Sequence, residues 1–265
     1  MSLSEQFLLG IQAYQEIREE LRPDTQPLIS VPEVPSFEQV ASRLGPLPDG
    51  SLLLGLALDG QPVLLDLYNP APGPILVTGD GGCGKTAFLQ SLAYSSERFQ
   101  DPGDILFGAI TEFPEEWAGL ESLSTSLGIW PAYHRSAGDF LSRLVHWAEV
   151  LERGRQMVLL LVDGLDLMTD IAPRTRHDLR ALLVQGPERH IWPVVTMNAG
   201  RMDQNAAWLD CFHTRIFGHV EQGQPGHIPV PDPDIDLRSL RPGMQFGLHA
   251  ASGWLRFCIP SRPGG

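Results

Sequence analysis

The residues Gly79-Asp80-Gly81-Gly82-Cys83-Gly84-Lys85-Thr86 fit the spacing G-x-x-x-x-G-K-[ST] at every fixed position. Each residue type there has a chemical task. Glycines let the backbone turn so that successive N–H groups point inward at phosphate oxygens. A helix opening near Gly84 adds the positive end of its dipole. Lys85 offers a compact, mobile ammonium to β- and γ-phosphates, and Thr86 offers a hydroxyl to Mg²⁺. Lys85 is also the only lysine in the chain, against 18 arginines. A planar guanidinium fork is too bulky for such a loop, which accounts for one lysine in a sequence that otherwise uses arginine. The expected ligands are ATP and Mg²⁺. Against a chance glycine-rich turn stands the context, with "PILVTG" as a buried strand before the loop and "TAFLQSLAY" as a helix after it.

Holding the water shell of Mg²⁺ needs a carboxylate as well. "QMVLLLVDGLDLM" (156–168) offers a buried strand ending in Asp163, expected beside the phosphate-loop strand. The plainer reading of Asp163 is a strand-end residue that caps the next helix, and Asp166 reads as a capping or loop residue. Cys83 is either a small filler in the loop or a thiol activated by the helix N-terminus. The eight histidines show no ligand spacing; His213 and His219 are expected on one face of one strand, in structural roles. The six tryptophans are not interleaved with basic residues, which suits packing better than base stacking.

These groups need elements to position them. From residue 74 strands alternate with helices: strands are expected at 74–78, 104–110, 157–162, 191–197 and 214–220, helices at 84–95, 138–153, 174–185 and 203–210. That alternation predicts an α/β fold, a mainly parallel sheet with helices on both faces. Before it, "SLLLGLAL" and "PVLLDLY" flank "DGQ" as a hairpin; near the end, "MQFGLHA" and "WLRFCIP" form a closing hairpin. Residues 3–21 carry apolar side chains at helical spacing, "RPDTQPLISVPEVPS" reads as an extended linker, and a short helix is expected over 37–44.

Composition limits the partners. The chain has 265 residues, 43 % of them apolar, and a formal net charge of -13. That charge repels nucleic acid at long range, so DNA contact would need a local basic surface. The longest apolar run, "MVLLLV", falls far short of the ~20 residues that span a bilayer. The N-terminus lacks a basic leader and cleavage pattern, and three cysteines without metal-ligand spacing fit a reducing compartment, so a cytoplasmic location is expected.

From about residue 50 to 258 the chain resembles the FtsK/SpoIIIE/HerA group of P-loop motor ATPases, which includes the ATPase domains of type VII secretion. The resemblance rests on six segments in order: the hairpin and loop "LGLALDGQPVLLDLYNPAPGPILVTGDGGCGKT", then "LVHWAEVLERGR", "VLLLVDGLDLM", "GPERHIWPVVTMN", "FHTRIFGHV" and "LRPGMQFGL". It implies a RecA/FtsK-like ATPase domain over 37–265 behind an N-terminal segment of residues 1–36. It also implies a homo-oligomeric ring or a larger ATPase assembly. It puts Asn198 where the family has a polar sensor, and makes Arg215 a candidate to reach a neighbouring subunit's γ-phosphate; the plain alternatives are a loop-starting Asn and a strand-end Arg paired with an acid.

Two departures stand out. Gly164 occupies the place of the glutamate that polarises the attacking water, with Asp166 and Glu112 as possible substitutes. The segment after the sensor strand reads Asn198-Ala199-Gly200, and the family's DNA-reading winged-helix domain has no counterpart in this sequence. Several functions follow: DNA translocation, peptide or protein handling, scaffolding by a module that binds ATP without turnover, and, more remotely, a small-molecule kinase.

Overall fold

The computed structural model of the chain describes residues 34–101, 103–150, 156–168, 172–221, 235–250 and 253–261. The helix expected over 3–21 and the linker up to residue 33 lie outside these residues, as do 151–155, which include the end of the helix expected over 138–153, and most of the "PVPDPDID" loop.

The most apolar runs become the central strands, because a strand covered by helices on both faces needs no polar alternation. These are β3 (Ile75–Gly79), β6 (Met157–Asp163) and β7 (Ile191–Asn198), buried almost throughout. With β1 (Ser51–Ala57), β2 (Pro62–Asp66), β4 (Ile105–Thr111), β5 (Ser126–Pro131), β8 (Thr214–Phe217), β9 (Gln245–Ala250) and β10 (Gly253–Cys258), they form one sheet. Its order is β2-β1-β10-β9-β8-β3-β7-β6-β4-β5. From β8 to β5 every pairing is parallel. From β8 back to β2 every pairing is antiparallel, and both expected hairpins, β1–β2 and β9–β10, are present.

Helices cover both faces. On one, α2 (Lys85–Phe99) sets Phe88, Leu89 and Leu92 against Val77, Trp192, Phe246 and Phe257. On the other, α3 (Arg135–Val150) and α4 (Pro173–Gln185) set Phe140, Leu141, Leu179 and Leu182 against Leu160, Val162 and Val195. The short helix expected over 37–44 is α1 (Phe37–Leu44), fixed at its start by a reciprocal capping pair: the Gln39 amide donates to Ser36 Oγ, and the Ser36 amide to Gln39 Oε1.

Three expectations need correction. The Asp163 strand does not neighbour the phosphate-loop strand: β7 lies between, pairing with β3 through Val194 opposite Ile75 and with β6 through Val194 opposite Leu161. Sequence order cannot reveal such an insertion, because β7 follows both strands in the chain. β8 ends at Phe217, so His213 and His219 flank the strand rather than share a face of it. The helix expected over 203–210 is a 3₁₀ turn, Asp203–Asn205, followed by the single turn α5 (Ala206–Leu209). Strand β5 was not expected at all; "SLGIWP" is short, and Gly128 sits at φ +135°, so its period-2 signal is broken.

Candidate nucleotide site

Parallel packing brings the carboxyl ends of the strands to one edge of the sheet, where loops of α/β proteins bind ligands. At that edge Gly79 lies opposite Asn198, and Thr111 opposite Asp163. The phosphate loop leaves β3 at Gly79, and Gly82 (φ +74°) and Gly84 (φ +98°) take left-handed conformations open to glycine alone at little cost. Gly84 is the N-cap of α2, so the loop feeds directly into a helix N-terminus.

Lys85 Nζ lies over the loop, donating to the carbonyls of Gly79 (3.0 Å) and Asp80 (2.8 Å), with Cys83 Sγ at 3.9 Å. From the next residue of the same helix, Thr86 Oγ1 donates to Asp163 Oδ2 at 2.8 Å. The structure therefore joins the two sequence motifs, although a strand separates β3 from β6. Asp163 is also held from the side by a residue the sequence reading missed. Thr196, 1 % exposed in the intervening β7, donates its hydroxyl to Asp163 Oδ1 (2.9 Å) and accepts from the Gly164 amide (2.8 Å). A threonine inside an apolar run, "PVVTMN", was the available signal.

Burial raises the Asp163 carboxyl above the usual carboxylate range; the Thr86 and Thr196 hydroxyls, the Lys85 charge and the Trp117 indole oppose that rise. The Trp117 N–H is fully buried and has no hydrogen-bond partner of good geometry among the described residues. A buried carboxylate of this kind gains most from a cation. Among the described residues no group of three or more His, Cys, Asp or Glu side chains could hold a metal by itself. That fits Mg²⁺, which takes one or two protein oxygens and completes its shell with water and phosphate. Thr86 Oγ1 and Asp163 Oδ2 are the oxygens that would hold it, and the ion would neutralise phosphate charge there.

The loop is also gripped from outside. The Asp80 amide donates to the His219 carbonyl (3.0 Å), and Asp80 Oδ2 accepts from the Glu221 amide (2.7 Å). The Gly243 amide donates to the Cys83 carbonyl (2.9 Å), and a Cβ on Gly84 would sit 2.7 Å from Gly243 Cα. His219 Nδ1 is in turn 2.8 Å from the Leu240 carbonyl, a structural role as expected. Thus "FGHV" and "LRPGM" brace the loop, which their sequences alone did not disclose. Cys83 is 1 % exposed, with Sγ packed where a Cβ on Gly79 or Gly218 would fall. Burial raises its thiol pKa, with Lys85 opposing, so it is a filler and not an activated thiol.

Asn198 and Arg215, the two other expected site residues, make local contacts. Asn198 stands beside the loop, but its Oδ1 accepts from the Gly200 amide (3.1 Å) and closes a local turn. Arg215 pairs with Leu76, three residues before the loop, and donates to the Leu209 carbonyl at 3.4 Å. Asp166, 7 % exposed, accepts from the Asn198 amide (3.3 Å) and pairs with Arg201 (3.5 Å).

With amides, an ammonium, a hydroxyl and a carboxylate converging on one edge, the arrangement suits a nucleoside triphosphate with a divalent cation. No protein-family model matches the chain, and no curated protein matches its sequence. Solved structures do match in fold. The cytoplasmic domain of the Thermomonospora curvata type VII secretion ATPase EccC superposes with a TM-score of 0.67 at 16 % identity, over 94 % of this chain and 30 % of that one. EssC (ATPases 2 and 3) from Geobacillus thermodenitrificans gives 0.66 at 13 % identity, over 92 % of this chain and 49 % of that one. The pCW3 conjugation coupling protein TcpA, in its monomer form with ATPγS, gives 0.61 at 14 % identity, over 87 % and 70 %. The chain therefore has the α/β fold of FtsK/SpoIIIE-type P-loop ATPases. It spans 30 % and 49 % of the two secretion-ATPase chains. Among the described residues no helix is long and apolar enough to cross a membrane.

Proposed function

We propose that this chain is an ATP-binding, motor-type ATPase domain that works within an oligomeric assembly. The observation that carries the proposal is the 2.8 Å contact between Thr86 and Asp163 beneath a complete phosphate loop. It unites, from the helix after the loop and the end of a separate strand, the hydroxyl and carboxylate that ATP·Mg²⁺ requires. Arg215 is the residue through which one subunit would reach a neighbour's γ-phosphate; it must give up the Leu209 carbonyl to do so. The net charge of -13 disfavours DNA as cargo relative to a peptide or protein, such as a secretion ATPase would handle.

Titration calorimetry with ATP and Mg²⁺, followed by mass measurement in solution with and without nucleotide, tests the reading. Binding that vanishes in Lys85→Ala, and a mass that rises with ATP in wild type but not in Arg215→Ala, are the expected results. No uptake of nucleotide removes the reading altogether. Turnover stimulated by DNA at low salt would make DNA the cargo.

A second reading has its own observation: Gly164, in place of a water-polarising glutamate, sits at φ +94°, where a side chain is strained. The chain would then be a nucleotide-dependent interaction module that binds ATP and leaves it intact.

A further inference from the structure

Resting on the ATPase reading, we infer that Glu112 is the general base of this site, acting from β4 in place of the missing side chain at position 164. The register puts it there. Thr111, the last residue of β4, is the Cα partner of Asp163, the last residue of β6, and the strands are directly hydrogen-bonded neighbours. Glu112 and Gly164 are therefore the first residues beyond two paired strand ends, and paired strands run ~4.8 Å apart. A carboxylate lost from one strand end reappears on the adjacent one.

The other carboxylates at this edge are committed. Asp80 accepts from the Glu221 amide, Asp163 from Thr86 and Thr196, and Asp166 from the Asn198 amide while pairing with Arg201. Glu112 is half-buried, and among the described residues it makes no hydrogen bond or ion pair. Among the described residues its carboxylate is uncommitted, next to the strand end whose Asp163 would anchor the cation.

The segment carrying it is tied to the helix of the phosphate loop. Gln90 Nε2, on α2, donates to the Glu116 carbonyl at 2.7 Å, and Trp117 is fully buried against the core. Farther along, the Glu97 carboxylate, also on α2, accepts from Ser124 Oγ (2.9 Å), the Thr125 amide (3.1 Å) and Thr125 Oγ1 (3.0 Å). One helix thus carries the phosphate loop and holds the 112–125 connection at Glu116 and at Ser124–Thr125, while the Phe113 amide donates to Thr111 Oγ1 (3.1 Å) at its start. A base must be held to the substrate within hydrogen-bonding reach, directly or through one water, and this arrangement supplies that rigidity.

In the step itself, a water oxygen forms a bond to the γ-phosphorus as the bond from that phosphorus to the β,γ-bridging oxygen breaks. The bonding pair leaves with ADP. The water proton passes to the Glu112 carboxylate and from there to solvent or the released phosphate.

The test compares the full chain with Glu112→Gln and with Glu115→Gln, an exposed carboxylate on the same segment. ATP and ADP affinities are measured by calorimetry, and turnover by phosphate release. Glu112→Gln should bind ATP, keep it intact, and hydrolyse it roughly 10²–10⁴-fold more slowly. Removing a negative charge near the γ-phosphate should also raise the ATP-to-ADP affinity ratio about threefold or more, from Coulomb repulsion over ~7 Å even at the dielectric of water. Glu115→Gln should keep both wild-type values. Wild-type turnover in Glu112→Gln, an unchanged affinity ratio, or an equal loss in Glu115→Gln overturns the assignment. ATP that wild type binds but never hydrolyses also overturns it and leaves the binding reading standing; absence of binding removes both.

Discussion

Replacing Thr196 with valine removes a hydroxyl at almost constant volume, so no cavity confuses the result. Two hydrogen bonds are lost: the one donated to Asp163 Oδ1 at 2.9 Å and the one accepted from the Gly164 amide at 2.8 Å. Thr196 is 1 % exposed, so water does not replace it readily. An orphaned buried amide costs about 1–3 kcal/mol, and a hydrogen bond to a charged group contributes about 1.5–3 kcal/mol. Together these put the loss at about 2.5–6 kcal/mol, a large part of the ~5–15 kcal/mol that typically separates native from unfolded states. In urea this appears as a fall in midpoint on the order of 1 M with unchanged slope. Thr196→Ser is the informative control. It keeps both bonds and gives up one methyl, for about 1 kcal/mol. Thr196→Val should also weaken ATP·Mg²⁺ binding, since Asp163 would be held only by Thr86, whereas Thr196→Ser should not. If valine unfolds at the wild-type midpoint, or if serine is as damaging as valine, the hydroxyl bridge does not organise Asp163 and the reasoning fails.

The glycine at the head of α2 gives a second prediction. Gly84→Ala places a Cβ 2.7 Å from Gly243 Cα, backbone against backbone, at φ +98°. It should destabilise by about 1–3 kcal/mol from strain alone and abolish nucleotide binding, which a thermal melt and a titration would show; a wild-type melting temperature contradicts the close approach. A third prediction concerns pH. Because burial raises the Asp163 pKa, the native state keeps that proton to higher pH than the unfolded chain does. Stability is lost as pH rises from the ordinary carboxylate value, about 4, through the native one. Asp163→Asn should therefore gain stability relative to wild type near neutral pH and lose that advantage in acid, while losing Mg²⁺-dependent binding. Urea midpoints of the two proteins that run parallel across this range would contradict it.

Much of the site was legible because phosphate binding by a backbone loop is a local property. Gly79 to Thr86 carry their own turn geometry and helix start, and the buried runs around them fix β3 and α2 without reference to distant residues. The strand ending in Asp163 was equally plain, since a run as apolar as "MVLLLV" has to be covered on both faces. Other features are decided between segments far apart in the chain. That β7 inserts between β3 and β6 follows from how the faces of three strands pack together, and it brings Thr196 to Asp163 across 33 residues of sequence. The bracing of the loop by His219, Glu221 and Gly243 depends on where the residues just after β8 and just before β9 come to lie, and a hydrogen bond made by a backbone amide leaves no mark on side-chain type.

Which carboxylate is committed was likewise a tertiary matter: both Asp166 and Glu112 stood as substitutes in the sequence, and only packing pairs Asp166 with Arg201 and leaves Glu112 without a partner among the described residues. The sequence by itself determined the phosphate loop, the buried strands and the helices that alternate with them, because turn geometry and burial act residue by residue. The tertiary structure alone decided strand order, the neighbours of Asp163 and the fate of each carboxylate, because those depend on which distant surfaces exclude water from one another.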